Sequence, residues 1–186
     1  MKKLAIFASG GGSNALKIHE YFSDIKDVTI DCIVVNNPKA GIIEKAKLWD
    51  CDIIEISKDS FYKDNSVSKD LQKRAIDLVI LAGFLWLIPQ HLLETFPKKI
   101  INIHPALLPS YGGKGMYGMN VHKAVVSAGE IETGITIHWV DEIYDNGVTI
   151  SQFRVRLDGT ETPEEVAQKV RELEYQYFPK TIESLL

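Results

Sequence analysis

The stretch Lys3-Leu4-Ala5-Ile6-Phe7-Ala8-Ser9-Gly10-Gly11-Gly12-Ser13-Asn14 decides the fold. From Leu4 to Ala8 every side chain is apolar, so both faces of the strand Lys3–Ala8 are built for burial. Three glycines then turn the chain, and the helical pattern Asn14–Phe22 follows at once. A strand with no wet face, a tight turn and a helix make the opening unit of a parallel α/β sheet.

The same alternation continues outward. Val28–Val35, Asp52–Ile56 and Leu78–Ala82 read as further strands, and Gly41–Trp49 and Val67–Ala75 as helices with polar faces. Beyond Ile100 the character changes. Ile100–Ile103 is a short strand, Asn120–Ala128 a helix, and Gly134–Val140 and Val148–Val155 are strands joined by the turn-rich run Asp141–Gly147. Thr162 and Glu165 give a capping-box signature for a last helix, Pro163–Leu186, in which Pro163 suits the first position and Pro179 should kink or split the helix. The expected class is α/β, a single-domain, mostly parallel twisted sheet with helices on both faces and an antiparallel hairpin at one edge. No linker or repeat divides residues 1–186.

Composition narrows the function. The chain has 186 residues, 45% hydrophobic and 25% charged, with 21 basic and 25 acidic side chains for a net charge of -4. That excludes a disordered chain, and the scattered basic residues argue against a nucleic-acid coat. Cys32 and Cys51 form no C-x-x-C and no metal-ligand spacing, which points to a reducing compartment. The apolar stretch after Lys2 and Lys3 is too short for a secretory signal, and the run Leu78–Ile88 is too short to span a bilayer. A cytoplasmic protein is expected.

The glycine turn has its own chemistry. Backbone N–H groups and the positive end of a helix converge there, which suits a phosphate. Gly10, Gly12 and Ala15 spell a dinucleotide fingerprint, but strand two ends in Val35-Asn36-Asn37 without the acidic residue a ribose needs. A nucleoside-triphosphate loop fails too, since no G-x-x-x-x-G-K-S/T occurs. Ser13 and Asn14 fit a single phosphate better, and the alternative is a tight turn that binds nothing.

The other informative segment is Asn102-Ile103-His104-Pro105. Asn102 and His104 lie two apart on a strand and leave the same face, while Ile101 and Ile103 point the other way. An amide donor beside an imidazole can polarise a carbonyl and hold an oxyanion. No G-x-S-x-G nucleophile occurs, so direct attack by a substrate nucleophile is the natural chemistry. Asp145 is the best-placed proton acceptor, with Asp141 and Glu142 as rivals. His138 is either a support for this group or a packed strand residue. His19, His91 and His122 read as surface or partly buried, and Trp49, Trp139, Tyr175, Tyr177 and Phe178 as core.

SGGGSN at Ser9–Asn14, LAGF at Leu81–Phe84, NIHPALLPSY at Asn102–Tyr111 and Asp145-Asn146-Gly147 occur in one order and spacing across essentially the whole chain. In these motifs the sequence resembles the phosphoribosylglycinamide formyltransferase family, whose fold is Rossmann-like. The resemblance implies transfer of the formyl group of 10-formyltetrahydrofolate, a co-substrate, to the amine of glycinamide ribonucleotide in de novo purine biosynthesis. Asn102, His104 and Asp145 match the family's catalytic trio, with Asp145 keeping His104 charged. Gly12, Ser13 and Asn14 match its phosphate loop, and Glu174 a glutamate that contacts the ribonucleotide. Leu85, Trp86, Leu87 and Ile88 match the segment lining the folate pocket, with Asn102 and Asp141 also on the folate side.

On this likeness, about 1–100 is the phosphate-binding half and about 100–186 the catalytic and folate-binding half. Partners are the two small molecules, with no metal, nucleic acid or membrane, and the state is monomer or homodimer. Trp86 stands where many relatives carry Arg, and Lys63 is the nearest basic residue to the expected folate tail. The run Gly112–Gly118 is either a mobile lid or a long turn. Two related enzymes are less expected. A formyltetrahydrofolate hydrolase would carry a regulatory domain ahead of strand one, and a methionyl-tRNA formyltransferase a C-terminal tRNA-binding domain. A module that binds nucleotide without turnover is the reading from another class.

Overall fold

A computed structural model describes residues 1–186. Its strands hydrogen-bond in the order β3-β2-β1-β4-β5-β6-β7. Contacts gather the chain into two compact units, residues 1–101 with Leu186, and residues 102–185. The expected α/β class, mostly parallel with an antiparallel hairpin at one edge, is borne out.

In the first unit, β1 (Lys2–Ala8) pairs in parallel with β2 (Val28–Val35) on one side and β4 (Leu78–Leu81) on the other. β2 in turn pairs with β3 (Asp52–Glu55). Leu4 through Ala8 are all 0% exposed, which is why the strand beyond Lys3 carries no polar residue on either face. The helices are α1 (Ser13–Phe22), α2 (Ile42–Ala46), α3 (Lys58–Tyr62), α4 (Ser66–Lys73) and α5 (Gln90–Thr95). Arg74, at the end of α4, bonds Asp70, Asp31 and Asp52, and so ties that helix to β2 and β3. α2 is shorter than the Gly41–Trp49 expected, because Leu48 and Trp49 turn back through bonds to Lys45 and Ala46. α3 and α5 have too few residues to show a periodicity. Trp49 is half-buried and stacks on His19 with ring centres 4.2 Å apart.

β5 (Ile100–His104) carries the chain into the second unit. That unit contains α6 (Met119–Ser127), β6 (Glu132–Trp139), β7 (Thr149–Arg156) and α7 (Pro163–Ser184). β6 and β7 are antiparallel, with Ile135 opposite Phe153 and Gly134 opposite Arg154. Tyr177 of α7 stacks on Phe153 at 3.8 Å, and Phe178 is fully buried. α7 runs on through Pro179, so of the kink or split read from the sequence, the split does not occur. Phe178, Pro179, Thr181 and Ile182 are all buried, so packing outweighs the roughly 3 kcal/mol that an interior proline costs. No helix is long and apolar enough to cross a membrane.

The capping box of α7 is formed in both directions, Glu165 N to Thr162 Oγ1 at 3.3 Å and Thr162 N to Glu165 Oε2 at 2.8 Å. Thr162→Ala removes the side-chain cap and lowers stability by about 1 kcal/mol, read from the urea unfolding midpoint.

Candidate active site

The second unit collects the catalytic candidates around one carboxylate. Ile101 and Ile103 are packed away at 0% and 6% exposure, which turns Asn102 and His104 to the opposite face. Asp145 comes from the β6–β7 connection, where its backbone takes φ 55°. Its Oδ2 lies 3.4 Å from His104 Nδ1, and its Oδ1 3.4 Å from Asn102 Nδ2. The rivals lie elsewhere. Asp141 accepts from Ile143 N and Asn146 Nδ2 within its own loop, and Glu142 is exposed.

Two further contacts orient this group. His104 Nε2 is 2.8 Å from the carbonyl oxygen of Tyr111, so that nitrogen carries a proton. Gly113 N donates to Asp145 Oδ2 at 2.9 Å. Both come from one tight turn. Gly112 sits so close to the chain that a Cβ there would lie 2.5 Å from Leu108 Cδ2 and 3.2 Å from Asp145 Cβ. Thr136, fully buried, braces the segment before the turn. Its hydroxyl donates to Ala106 O at 2.7 Å and accepts from Leu108 N at 2.9 Å.

His138 belongs to the same network. Its Nδ1 donates to its neighbour's carbonyl, Trp139 O, at 2.9 Å, which leaves Nε2 to accept the second N–H of Asn102 at 3.1 Å. Burial pushes the His138 pKa down, more than Trp139 O and the Asp145 charge push it up, so the ring stays neutral and keeps this acceptor. At Asp145 burial also favours the neutral form. There the hydrogen bond and charge of His104, the N–H of Gly113 and His138 together overcome it and hold the carboxyl below its ordinary range. Asp145 is therefore ionised at neutral pH.

The first unit presents the glycine turn. Gly12 caps α1 at φ 68°, a left-handed conformation, and a Cβ there would also overlap the side chain of Ile42. α1 has no side-chain cap and no acidic residue in its first turn. Lys45 of α2 donates to Gly11 O at 2.6 Å, and Ile42 N donates to Gly10 O at 3.2 Å, so the turn is held from behind. Ser13 and Asn14 open the helix as expected.

The remaining candidates divide. Leu85 is 47% exposed, Trp86 and Leu87 are half-buried, and Ile88 is packed in the core. The Trp86 ring lies 5.6 Å from Phe61 and 5.9 Å from Tyr62, within an aromatic cluster. Glu174 is half-buried on α7, one turn before Tyr177. Lys63 pairs with Asp59 on the surface. Of the two readings open for His138, a support for this group or a packed strand residue, its bond to Asn102 favours the first. The sequence had no signal for the Tyr111 carbonyl or the Gly113 N–H, since these are backbone groups set by a turn.

The electrostatics can be tested directly. A carboxyl with a depressed folded-state pKa contributes stability that is present above its unfolded value and is lost as pH falls through the folded one. A ¹³C NMR titration should place the Asp145 midpoint below 3.8. His104→Gln, which removes a charge and weakens a hydrogen bond, should raise that midpoint.

The chain resembles known proteins along its whole length. It is 43% identical over 189 residues to phosphoribosylglycinamide formyltransferase, chloroplastic, of Arabidopsis thaliana, covering 97% of this chain and 64% of that protein. It is 34% identical over 191 residues to phosphoribosylglycinamide formyltransferase of Bacillus subtilis (strain 168), covering 100% and 95%. The chain thus spans less than two thirds of the plant relative and nearly all of the bacterial one. The crystal structure of glycinamide ribonucleotide transformylase 1 from Geobacillus kaustophilus matches with a TM-score of 0.88 at 33% identity, covering 100% of this chain and 99% of that one. The formyl transferase family matches residues 2–182, which takes in both the glycine turn and the Asp145 group, and the chain belongs to that family.

Proposed function

We propose that this protein transfers the formyl group of 10-formyltetrahydrofolate to the amine of glycinamide ribonucleotide, a step of de novo purine biosynthesis. The observation that carries the reading is the linkage of Asn102 and His104 through the buried carboxylate of Asp145, in a member of the formyl transferase family. The names of the relatives agree with it.

An amine with a reference pKa of about 8 has a neutral fraction at pH 7 that can attack the formyl carbon directly. As the new C–N bond forms, the carbonyl oxygen becomes an oxyanion. Two donors are available to it, Asn102 Nδ2–H and His104 Nδ1–H. Each now makes only a 3.4 Å contact to Asp145, while the shorter bonds to His138 and Tyr111 hold the other side of each group. Long bonds of this kind in a free site are the ones that a substrate takes over. Asp145, ionised, receives the proton of the attacking amine through water. The same proton goes to the departing folate nitrogen as the old C–N bond breaks.

Gly12, Ser13 and Asn14 hold the ribonucleotide phosphate at the uncapped start of α1. Glu174 contacts the same substrate. Leu85, Trp86, Leu87 and Ile88, with Asn102 and Asp141, serve the reduced folate, and no metal takes part. The two free thiols, Cys32 and Cys51, support a reducing compartment such as the cytoplasm.

Steady-state assays with and without glycinamide ribonucleotide test the proposal. Folate product that forms only with the ribonucleotide, alongside formylated ribonucleotide, is expected. Equal release without it would mean a hydrolase, and no release in either case a binding module. His104→Ala and Asp145→Asn should each lower kcat by about 10²–10⁴-fold with the far-UV spectrum unchanged. Near-normal turnover in either variant would remove that residue from the mechanism.

A further inference from the structure

The His104 ring is set by its shortest bond, the 2.8 Å contact from Nε2 to the Tyr111 carbonyl. That bond decides which nitrogen faces the tyrosine turn and which faces Asp145. The acceptor stands on an unfavourable backbone. Tyr111 has φ 58°, a region that costs a residue with a Cβ about 1 kcal/mol or more, and it opens a run with further positive φ at Gly113, Gly115 and Gly118. A glycine-rich segment has many other conformations open to it, so something must select this one.

The Tyr111 side chain supplies the selection. Its hydroxyl donates to Glu130 Oε1 at 2.6 Å, a short charge-assisted bond between residues 19 apart in the sequence. Glu130 stands in the connection between α6 and β6, which is itself tied down. Its N–H bonds Val125 O, and the carbonyl of the next residue, Ile131, accepts from Leu157 N at 2.9 Å. Glu130 makes no salt bridge, so its carboxylate is committed to the tyrosine rather than to a surface ion pair.

We propose that Glu130 is a positioning residue for the catalytic imidazole, acting through Tyr111. The carboxylate holds the phenol, the phenol holds the strained turn, and the carbonyl of that turn holds His104 Nε2–H. The same turn sends Gly113 N–H to Asp145, so one anchor sets both partners of the His104–Asp145 pair. The activity arm of this proposal rests on the formyl-transfer reading above, while its spectroscopic arm does not.

The experiment uses the full ¹⁵N-labelled chain. In the native protein the His104 Nε2–H proton should be seen as a downfield, slowly exchanging imidazole signal. Tyr111→Phe and Glu130→Ala should each speed its exchange by roughly 10-fold or more and lower kcat by roughly 10-fold, with both KM values within about 2-fold. Glu130→Gln keeps an acceptor for the phenol and should retain the protected signal and most of kcat. Thermal melts exclude a global cause, and the Gln variant keeps the proposal testable if the Ala variant unfolds. A native-like imidazole signal in both Tyr111→Phe and Glu130→Ala would overturn the proposal, as would an effect confined to KM or a Gln variant as impaired as Ala. A protein without formyl transfer would still show the imidazole result, so failure of the activity reading is distinguishable.

Discussion

A buried carboxylate that stays ionised must be surrounded by donors, and Asp145, with its side chain only 10% exposed, is the constraint around which the second unit is arranged. Its donors come from two places in the sequence, His104 and Asn102 in β5, and Gly113 in the turn beyond. His138 completes the arrangement as a neutral ring that occupies the Asn102 N–H not directed at Asp145. The carboxylate is thus the structural centre of the group and, in the proposed reaction, its proton acceptor.

The cost of this convergence is visible in the backbone. Of the non-glycine residues with positive φ, Tyr111 and Asp145 both belong to this network. Each offsets its strain with bonds to the network, the tyrosine through His104 and Glu130, the aspartate through Gly113 and His104. Strain of this size persists only where surrounding contacts over-determine the conformation, and it tends to gather where chemistry needs fixed geometry. At the glycine turn of the first unit the solution is different. Gly12 takes a left-handed conformation without penalty and leaves the α1 N-terminus uncapped.

Much of this was legible in the chain itself. Strand limits in the first unit came out within a residue or two, because short runs rich in Ile and Val bounded by turn formers read as strands. The capping box of α7 was readable as Thr162 and Glu165, and it forms as written. Short helices were not readable. α3 and α5 have no room for a periodic face, and α2 ends early in turn bonds that the sequence does not announce. At Pro179 the local cost was visible in the sequence and the burial that keeps the helix unsplit was not.

By itself, then, the sequence determined the α/β class, the glycine turn at the end of β1 and the same-face pairing of Asn102 with His104, all of which follow from local periodicity and backbone preference. Only the tertiary structure decided which acid meets the histidine. The sequence favours Asp145 over its rivals Asp141 and Glu142 in the same polar connection, but only the folded chain shows Asp141 bonded within its own loop and Asp145 turned to the imidazole. The same holds for the Tyr111 carbonyl, the Gly113 N–H and Glu130. Their roles depend on contacts between residues far apart in the chain, and no local pattern encodes those contacts.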